Sequence, residues 1–266
     1  MGNVASRIQA LRRKPRIYCI DWIQVETDAQ RGQEETVARF PLAVHDAVLT
    51  AAHVEHLQRV KALNPEQVML GYVIWNHETS AVGPGNEILQ TLSDDAYVPT
   101  VTVDGNRLFD FREYEVQGAL LEACRATLDA YPFDGLFLDN CTVWDAAAAP
   151  NTAARTDMEN ALLRTLAKLR AMYPEHLLIG NTADNWPHLN GEQNEDRTAD
   201  WAAEFISYPG HASPEMNLAM VLMDDTGGTS QTAVATHYAA ARHYANTWFG
   251  ACVDYQHPVW WDAYDD

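Results

Sequence analysis

Short apolar runs in this chain stop repeatedly at a carboxylate or an amide. Residues 17–20 lead into Asp21 and Trp22, and residues 68–74 into Trp75 and Asn76. The run at 97–103 reaches Asp104 or, past a turn at Gly105 and Asn106, Asp110. Residues 133–138 lead into Asp139 and Asn140, and 177–180 into Asn181, with Asp184 and Trp186 just beyond. A short segment over 189–195 ends at Glu195 and Asp196, the run at 217–223 at Asp224 and Asp225, and the run at 248–253 at Asp254 and Tyr255. Asp and Asn favour turns and helix caps, which accounts for some of these positions. It does not account for the indoles beside them at Trp22, Trp75 and Trp186. Carboxylates mixed with indoles suit sugars, whose hydroxyls need acceptors and whose CH faces stack on aromatic rings. Glycosidic cleavage then needs two carboxyls with different tasks.

Such residues act together only if a scaffold converges them. The β-rich runs at 17–23, 68–75, 133–138, 176–179, 217–223 and 248–253, with weaker ones at 97–103 and 188–195, alternate with helical spacing. Val44, Val48, Ala51, Val54, Leu57, Val60 and Leu63 recur at three- and four-residue steps. So do Leu120, Leu121, Cys124, Leu128 and Tyr131, then Met158, Leu162, Leu166, Leu169 and Tyr173, then Val234, Tyr238, Ala241 and Ala245. Strand then helix, repeated, implies parallel pairing with right-handed crossovers. The expected fold is α/β, a single-domain (β/α)8 TIM barrel over residues 17–266 behind a basic N-terminal extension at 1–16, and 266 residues suit it. A barrel would bring the strand ends together on its C-terminal rim. A doubly wound open sheet would also alternate, but no GxGxxG or GxxxxGK[ST] phosphate loop follows any strand.

Composition narrows the partners. Net charge is −19, and five of the 18 basic residues lie in 1–16, so the remaining body is more acidic still. That surface repels phosphate, which argues against nucleic acid and anionic membrane as partners. No apolar run has the length of a membrane span, and the basic N-terminus lacks the apolar stretch of a secretory signal. This fits a cytoplasmic protein or one exported as part of a larger assembly. The four cysteines form no CxxC pair, so neither a zinc site nor a disulfide framework is signalled. Ten histidines supply no HxH or HExxH, and His53 and His56, three apart in a helix, read as a solvated pair. Asp224 and Asp225 have the oxygen ligands for Mg²⁺ or Ca²⁺, although capping explains them equally well. GxSxG is absent, and Cys141, with no defined histidine partner, reads as packing. No metal or cofactor is expected.

One segment is more specific. Tyr131-Pro-Phe-Asp-Gly-Leu-Phe-Leu-Asp-Asn140 resembles the FDG(I/V/L)FLDN fourth strand of TIM-barrel glycosidases, among them the endo-α-1,4-polygalactosaminidase-like group. Leu138-Asp139-Asn140-Cys141 is similar to the YDNC of α-galactosidase-type barrels, and the closing Trp260-Trp261-Asp262-Ala263-Tyr264-Asp265 to a W-x-D-E-Y-D tail. The resemblance implies that the aspartate ending strand four, Asp139, is the nucleophile and that a carboxyl ending strand six is the acid/base. It also leaves room for further domains of a longer chain.

Asp134 opens the same strand and belongs to the opposite, structural end. Asn140 would bond substrate or orient Asp139. The second carboxyl lies among Glu192, Glu195, Asp196 and Glu204. Trp201, Phe205 and Tyr208 share a helical stripe, which places Asp200, Glu204 and Ser207 on a solvated face. Glu195, where a short sixth strand would emerge, is the choice for acid/base. Asp21, Trp22, Trp75, Asn76, Asp110, Asn140, Asn181, Asp225 and Tyr255 are candidate substrate contacts. Retention needs carboxyls about 5–5.5 Å apart and inversion about 6.5–9.5 Å. Retention is the expectation, on a poly- or oligosaccharide. The alternative is a barrel of the same shape that binds glycan without cutting it, lectin-like or degenerate.

Overall fold

The computed structural model describes residues 4–11, 17–21, 34–45, 50–80, 83–103, 105–143, 152–181, 186–195, 212, 217–220 and 247–253. Its centre is a parallel sheet curled into a barrel. The contributing strands are β1 (Ile17–Asp21), β2 (Leu42–His45), β3 (Val68–Ile74), β6 (Gly135–Asp139), β7 (Leu177–Asn181), β8 (Gly191–Glu195), β9 (Asn217–Met220) and β10 (Thr247–Val253). They pair in the order β1-β2-β3-β6-β7-β8-β9-β10, with β10 returning to β1. The two remaining strands, β4 (Tyr97–Val103) and β5 (Asn106–Phe109), form a separate antiparallel hairpin.

Two expectations change here. The run at 97–103 is a strand but not a barrel strand. Gly105, at φ 84°, turns it back on β5, and Asp-Gly is a strong hairpin turn. The hairpin is tied to the segment after β3, where Phe109 N–H donates to the Asn76 carbonyl and His77 bridges Leu108. The barrel strand in its place is β2, whose four residues are all buried. The spacing of Val44 and Val48 with the following helix hid it, because a short apolar run fits either period. The helix starts later, as α3 (Ala51–Leu63), where the Thr50 hydroxyl accepts the His53 N–H. The strands from β6 onward keep the fourth to eighth places expected of them.

Strands buried on both faces carry apolar residues in both registers. One set fills the barrel: Ile20, Val44, Leu70, Tyr72, Phe137 and Ile179 form one buried cluster. The other set meets the helices. Leu136, Leu138 and Leu178 pack in one cluster with Leu89 of α4 (Pro84–Leu89), Leu120 and Cys124 of α5 (Tyr114–Ala130), and Leu162 and Leu166 of α6 (Thr152–Met172). Cys19, Ala43 and Met69 pack with Val37 of α2 (Glu34–Ala38) and with Leu57 and Val60 of α3. The spacing read for the second and third helices is the stripe these helices bury. The fourth helical stripe, Val234 to Ala245, lies outside the described residues.

The N-terminal helix is docked on the barrel. α1 (Val4–Leu11) buries Ile8 and Leu11 in the cluster that fills the barrel. Arg7 Nε donates to Asp134 Oδ1 at 2.6 Å. Asp134 precedes β6, so α1 stops the end of the barrel opposite Asp139. Gly135 opens β6 because its neighbour leaves no space: a Cβ there would stand 2.2 Å from the Leu177 carbonyl oxygen. Among the described residues no helix is long and apolar enough to cross a membrane.

Candidate functional site

Asp139 ends β6, the fourth barrel strand, in register with Ile74 of β3. By alternation it shares the inner face with Phe137. It is half-buried, and four donors, none a cation, hold its carboxylate. Asn181 at the end of β7 gives its amide to Oδ1 at 2.7 Å, and the Asn140 N–H reaches the same oxygen at 3.0 Å. Oδ2 accepts from the Tyr72 hydroxyl and, at 3.3 Å, from the Asn140 amide. Tyr72 comes from β3 and stacks on Phe137 with ring centroids 5.8 Å apart. Asn140 wraps around the carboxylate because its backbone is left-handed, at φ 53°, a conformation Asn tolerates better than most residues. The turn beyond is pinned by Cys141 N–H to the Asn181 carbonyl and by Trp186 Nε1 to the Cys141 carbonyl, both at 2.8 Å.

This constellation joins three predicted residues, Asp139, Asn140 and Asn181, with one that was missed, Tyr72. Its signal was available: Tyr72 shares parity with Ile74, two residues from the end of β3, and is a polar-tipped ring on a strand otherwise apolar. Deeper inside, the Tyr18 hydroxyl of β1 donates to Gln193 Oε1 of β8 at 3.1 Å, a polar contact between strands that are not neighbours.

Glu195 is the last residue of β8, the sixth barrel strand, two positions beyond Gln193 and in register with Met220. Glu192 is buried and has the opposite parity to Gln193, which directs it toward the helices. Asp196 and Glu204 lie outside the described residues, as do Trp22, Asp225 and Tyr255.

Four of the expected substrate contacts are engaged elsewhere. Trp75 is wholly buried among the residues between sheet and helices, so its ring is packing rather than a sugar platform. Asn76 is buried, its carbonyl fixing the hairpin and its side chain contacting His77 Nδ1 at 2.7 Å. Asp110 follows the hairpin, not a barrel strand. Its carboxylate is chelated by Arg112, with Nη2 2.5 Å from Oδ2. Burial tends to raise the Asp110 carboxyl, and Arg112 outweighs it, holding the group below its ordinary range. Asp21 has the parity of Cys19 and faces the helices, because in a strand covered on both sides a polar end can take either register. Its Oδ2 lies 2.8 Å from His45 Nδ1 and 2.8 Å from His56 Nε2. Burial tends to raise the Asp21 carboxyl, yet the two imidazole hydrogen bonds hold it well below the usual carboxylate range. Burial likewise opposes the charged form of His56, and Asp21 overrides it, raising this imidazole above its ordinary value. His53 and His56 are therefore no solvated pair: His53 meets the Thr50 cap while His56 is buried.

No family model matches this sequence, and no curated protein matches it. Solved structures do. The glycoside hydrolase domain of PelA from Pseudomonas aeruginosa superposes at TM-score 0.61 and 14% identity, covering 90% of this chain and 95% of that one. Ega3 from Aspergillus fumigatus, in complex with galactosamine, gives 0.52 at 13%, covering 90% and 91%. The GH36 α-galactosidase AgaA from Geobacillus stearothermophilus gives 0.61 at 13%, covering 91% of this chain and 39% of its own. This chain has their α/β barrel fold.

Proposed function

We propose that this chain is a glycoside hydrolase acting on a poly- or oligosaccharide, with Asp139 as nucleophile and Glu195 as acid/base. The observation that carries the reading is the Asp139 carboxylate at the end of the fourth barrel strand, fixed by four neutral donors and still partly open to solvent. Glu195 at the end of the sixth strand supports it, as does the fold shared with glycoside hydrolases. Fold alone does not define chemistry, so the weight rests on the carboxylate. The scaffold of this reading is a complete single-domain (β/α)8 barrel, with α1 seated on it.

In the first step an Asp139 oxygen bonds to the anomeric carbon as the bond to the leaving oxygen breaks. Glu195, in its acid form, gives its proton to that oxygen. In the second step water attacks the same carbon and gives a proton to Glu195, and the bond to Asp139 breaks, which retains configuration. The Asn181 and Asn140 donors keep negative charge on the carboxylate stable while it waits and while it leaves. The acidic body fits an uncharged or cationic glycan and disfavours nucleic acid and anionic membrane. Ega3, solved with galactosamine, and AgaA, an α-galactosidase, make galactosamine-containing glycans and α-galactosides the first substrates to try.

The experiment is reducing-end release over a panel of galactosaminoglycans, α-galactans, arabinans and bacterial envelope glycans, with Asp139→Asn and Glu195→Gln run alongside the wild type. Turnover lost in Asp139→Asn with glycan binding intact supports the reading. An active Asp139→Asn refutes the nucleophile, and an active Glu195→Gln moves the second role to Asp196 or Glu204. Glycan bound by the wild type and never cut would favour the lectin-like alternative. Proton NMR of the first anomer released separates retention from inversion.

A further inference from the structure

The outer layer of the barrel holds a cluster that the hydrolytic site does not use. Asp21 ends β1, His45 ends β2 beside it in register, and His56 lies in the second turn of α3. Their exposures are 3%, 2% and 2%. One ligand atom from each of the three residues lies within 4.8 Å of the others, and Asp21 Oδ2 stands 2.8 Å from both His45 Nδ1 and His56 Nε2. The other ring nitrogen of His56 faces Glu34 Oε1 at 3.4 Å, and Arg59 Nε fixes that oxygen at 2.8 Å.

We propose that Asp21, His45 and His56 form a binding site for a divalent transition-metal ion, zinc foremost, which fastens the ends of β1 and β2 to α3. Two imidazole nitrogens and one carboxylate oxygen are a zinc-type donor set, unlike the all-oxygen sets of calcium and magnesium. The three ligands come from three regular elements, so their backbones are placed before any ion arrives. A metal-bound histidine commonly gives its second N–H to a carboxylate, and Glu34 stands at that position for His56. Asp21 also brings a buried negative charge that a cation at the shared vertex would neutralise.

The two imidazole–carboxylate distances fit after a small opening. Zinc bonds of about 2.0–2.2 Å set tetrahedral ligand atoms roughly 3.3 Å apart. The two nitrogen–oxygen separations here are 2.8 Å, so each would widen by about half an ångström, within reach of side-chain rotation. In the metal-free protein the imidazole N–H groups keep the three residues converged on Asp21. Those protons leave to solvent when the ion enters. Three protein ligands leave a fourth position for a water molecule.

The test uses the full chain, stripped with a chelator, with Co²⁺ and Zn²⁺ alone as probes. One Co²⁺ per chain should bind with the visible absorption of a four-coordinate nitrogen–oxygen site, and Zn²⁺ should displace it and raise the melting temperature. His45→Gln and His56→Gln should each weaken binding by about 100-fold or more, and Glu34→Gln by roughly 10–100-fold, the usual cost of an outer partner. His53→Gln, three residues away on the same helix, should bind as the wild type does. If the wild type takes up no stoichiometric Co²⁺, the proposal falls whether or not the variants fold. It falls equally if binding survives both histidine substitutions or is lost in His53→Gln.

Discussion

Arg7 and Asp134 are the bolt that holds α1 under the barrel, and removing either side tests how that end is built. Asp134 is wholly buried and has three partners besides its own backbone. Arg7 takes Oδ1 at 2.6 Å, the Met69 N–H takes Oδ2 at 3.1 Å, and Lys61 Nζ stands 3.9 Å from Oδ2. The two deletions are not equivalent. Arg7→Met leaves a carboxylate stranded in the interior with Lys61 at long range. Losing one side of a buried pair costs about 3–5 kcal/mol, so about 4 kcal/mol is expected. Asp134→Ala releases an arginine that is 14% exposed and can turn to water. What remains is an unpaired Met69 N–H, at about 1–3 kcal/mol, plus the lost ion pair, for roughly 3 kcal/mol together. The double variant should cost no more than Asp134→Ala alone, because the stranded charge is gone.

The assay is urea unfolding followed by circular dichroism, with the three variants beside the wild type. A 4 kcal/mol loss would also lower the melting temperature by about 10 °C or more in a chain of this size. Protease susceptibility should rise at α1 first, since Ile8 and Leu11 are held by the same docking. If Arg7→Met costs under about 1 kcal/mol, in the range of an exposed pair, the bolt is ornamental. Additive single effects would likewise refute the coupling.

Three further outcomes follow from the same packing. Gly135→Ala should destabilise the chain by several kcal/mol, beyond the ~1–3 kcal/mol of ordinary overpacking, because its Cβ would meet the Leu177 carbonyl at 2.2 Å; urea midpoints would show it, and a neutral effect would contradict the β6–β7 register. Trp75→Leu should cost about 3 kcal/mol yet leave glycan affinity unchanged in calorimetry, whereas a sugar platform would lose affinity first. Burial pushes the Cys124 thiol far up, so Ellman's reagent should label it only on unfolding. The same shift keeps its proton on the folded chain, so its contribution to stability is full below the ordinary thiol range and falls as pH rises beyond it.

The fourth strand was the most legible part of the sequence, and the letters from Asp134 to Asn140 have physical tasks that can be named. Asp134 ties down α1, Gly135 admits the Leu177 backbone, Phe137 fills the barrel, Leu136 and Leu138 face the helices, and Asp139 emerges with Asn140 curled around it. The helices α5 and α6 were legible for a simpler reason: each buries one stripe, and a stripe at 3.6-residue spacing is visible in a single sequence. The hairpin and β2 were exchanged because a four-residue buried run has too few positions to establish a period.

Asp21 and Trp75 face away from the barrel interior for a deeper reason. A strand end fixes how far along the barrel axis a residue lies, and so Asp21, Trp75 and Asp139 all read as rim positions. Which face the side chain takes is one further binary choice, and alternation normally reveals it. Here both faces are covered: Ile20 packs inside while Cys19 packs outside, and Ile74 inside while Val73 packs outside. With apolar residues in both registers, hydrophobicity carries no parity. Only its motif marks Asp139 as a site residue, while Asp21, which has no such motif, faces the helices with His45 and His56. Parity becomes legible only where a polar residue has found polar partners of its own, and those partners come from other strands and helices. Tyr72 and Asn181 provide them for Asp139, and His45 and His56 for Asp21.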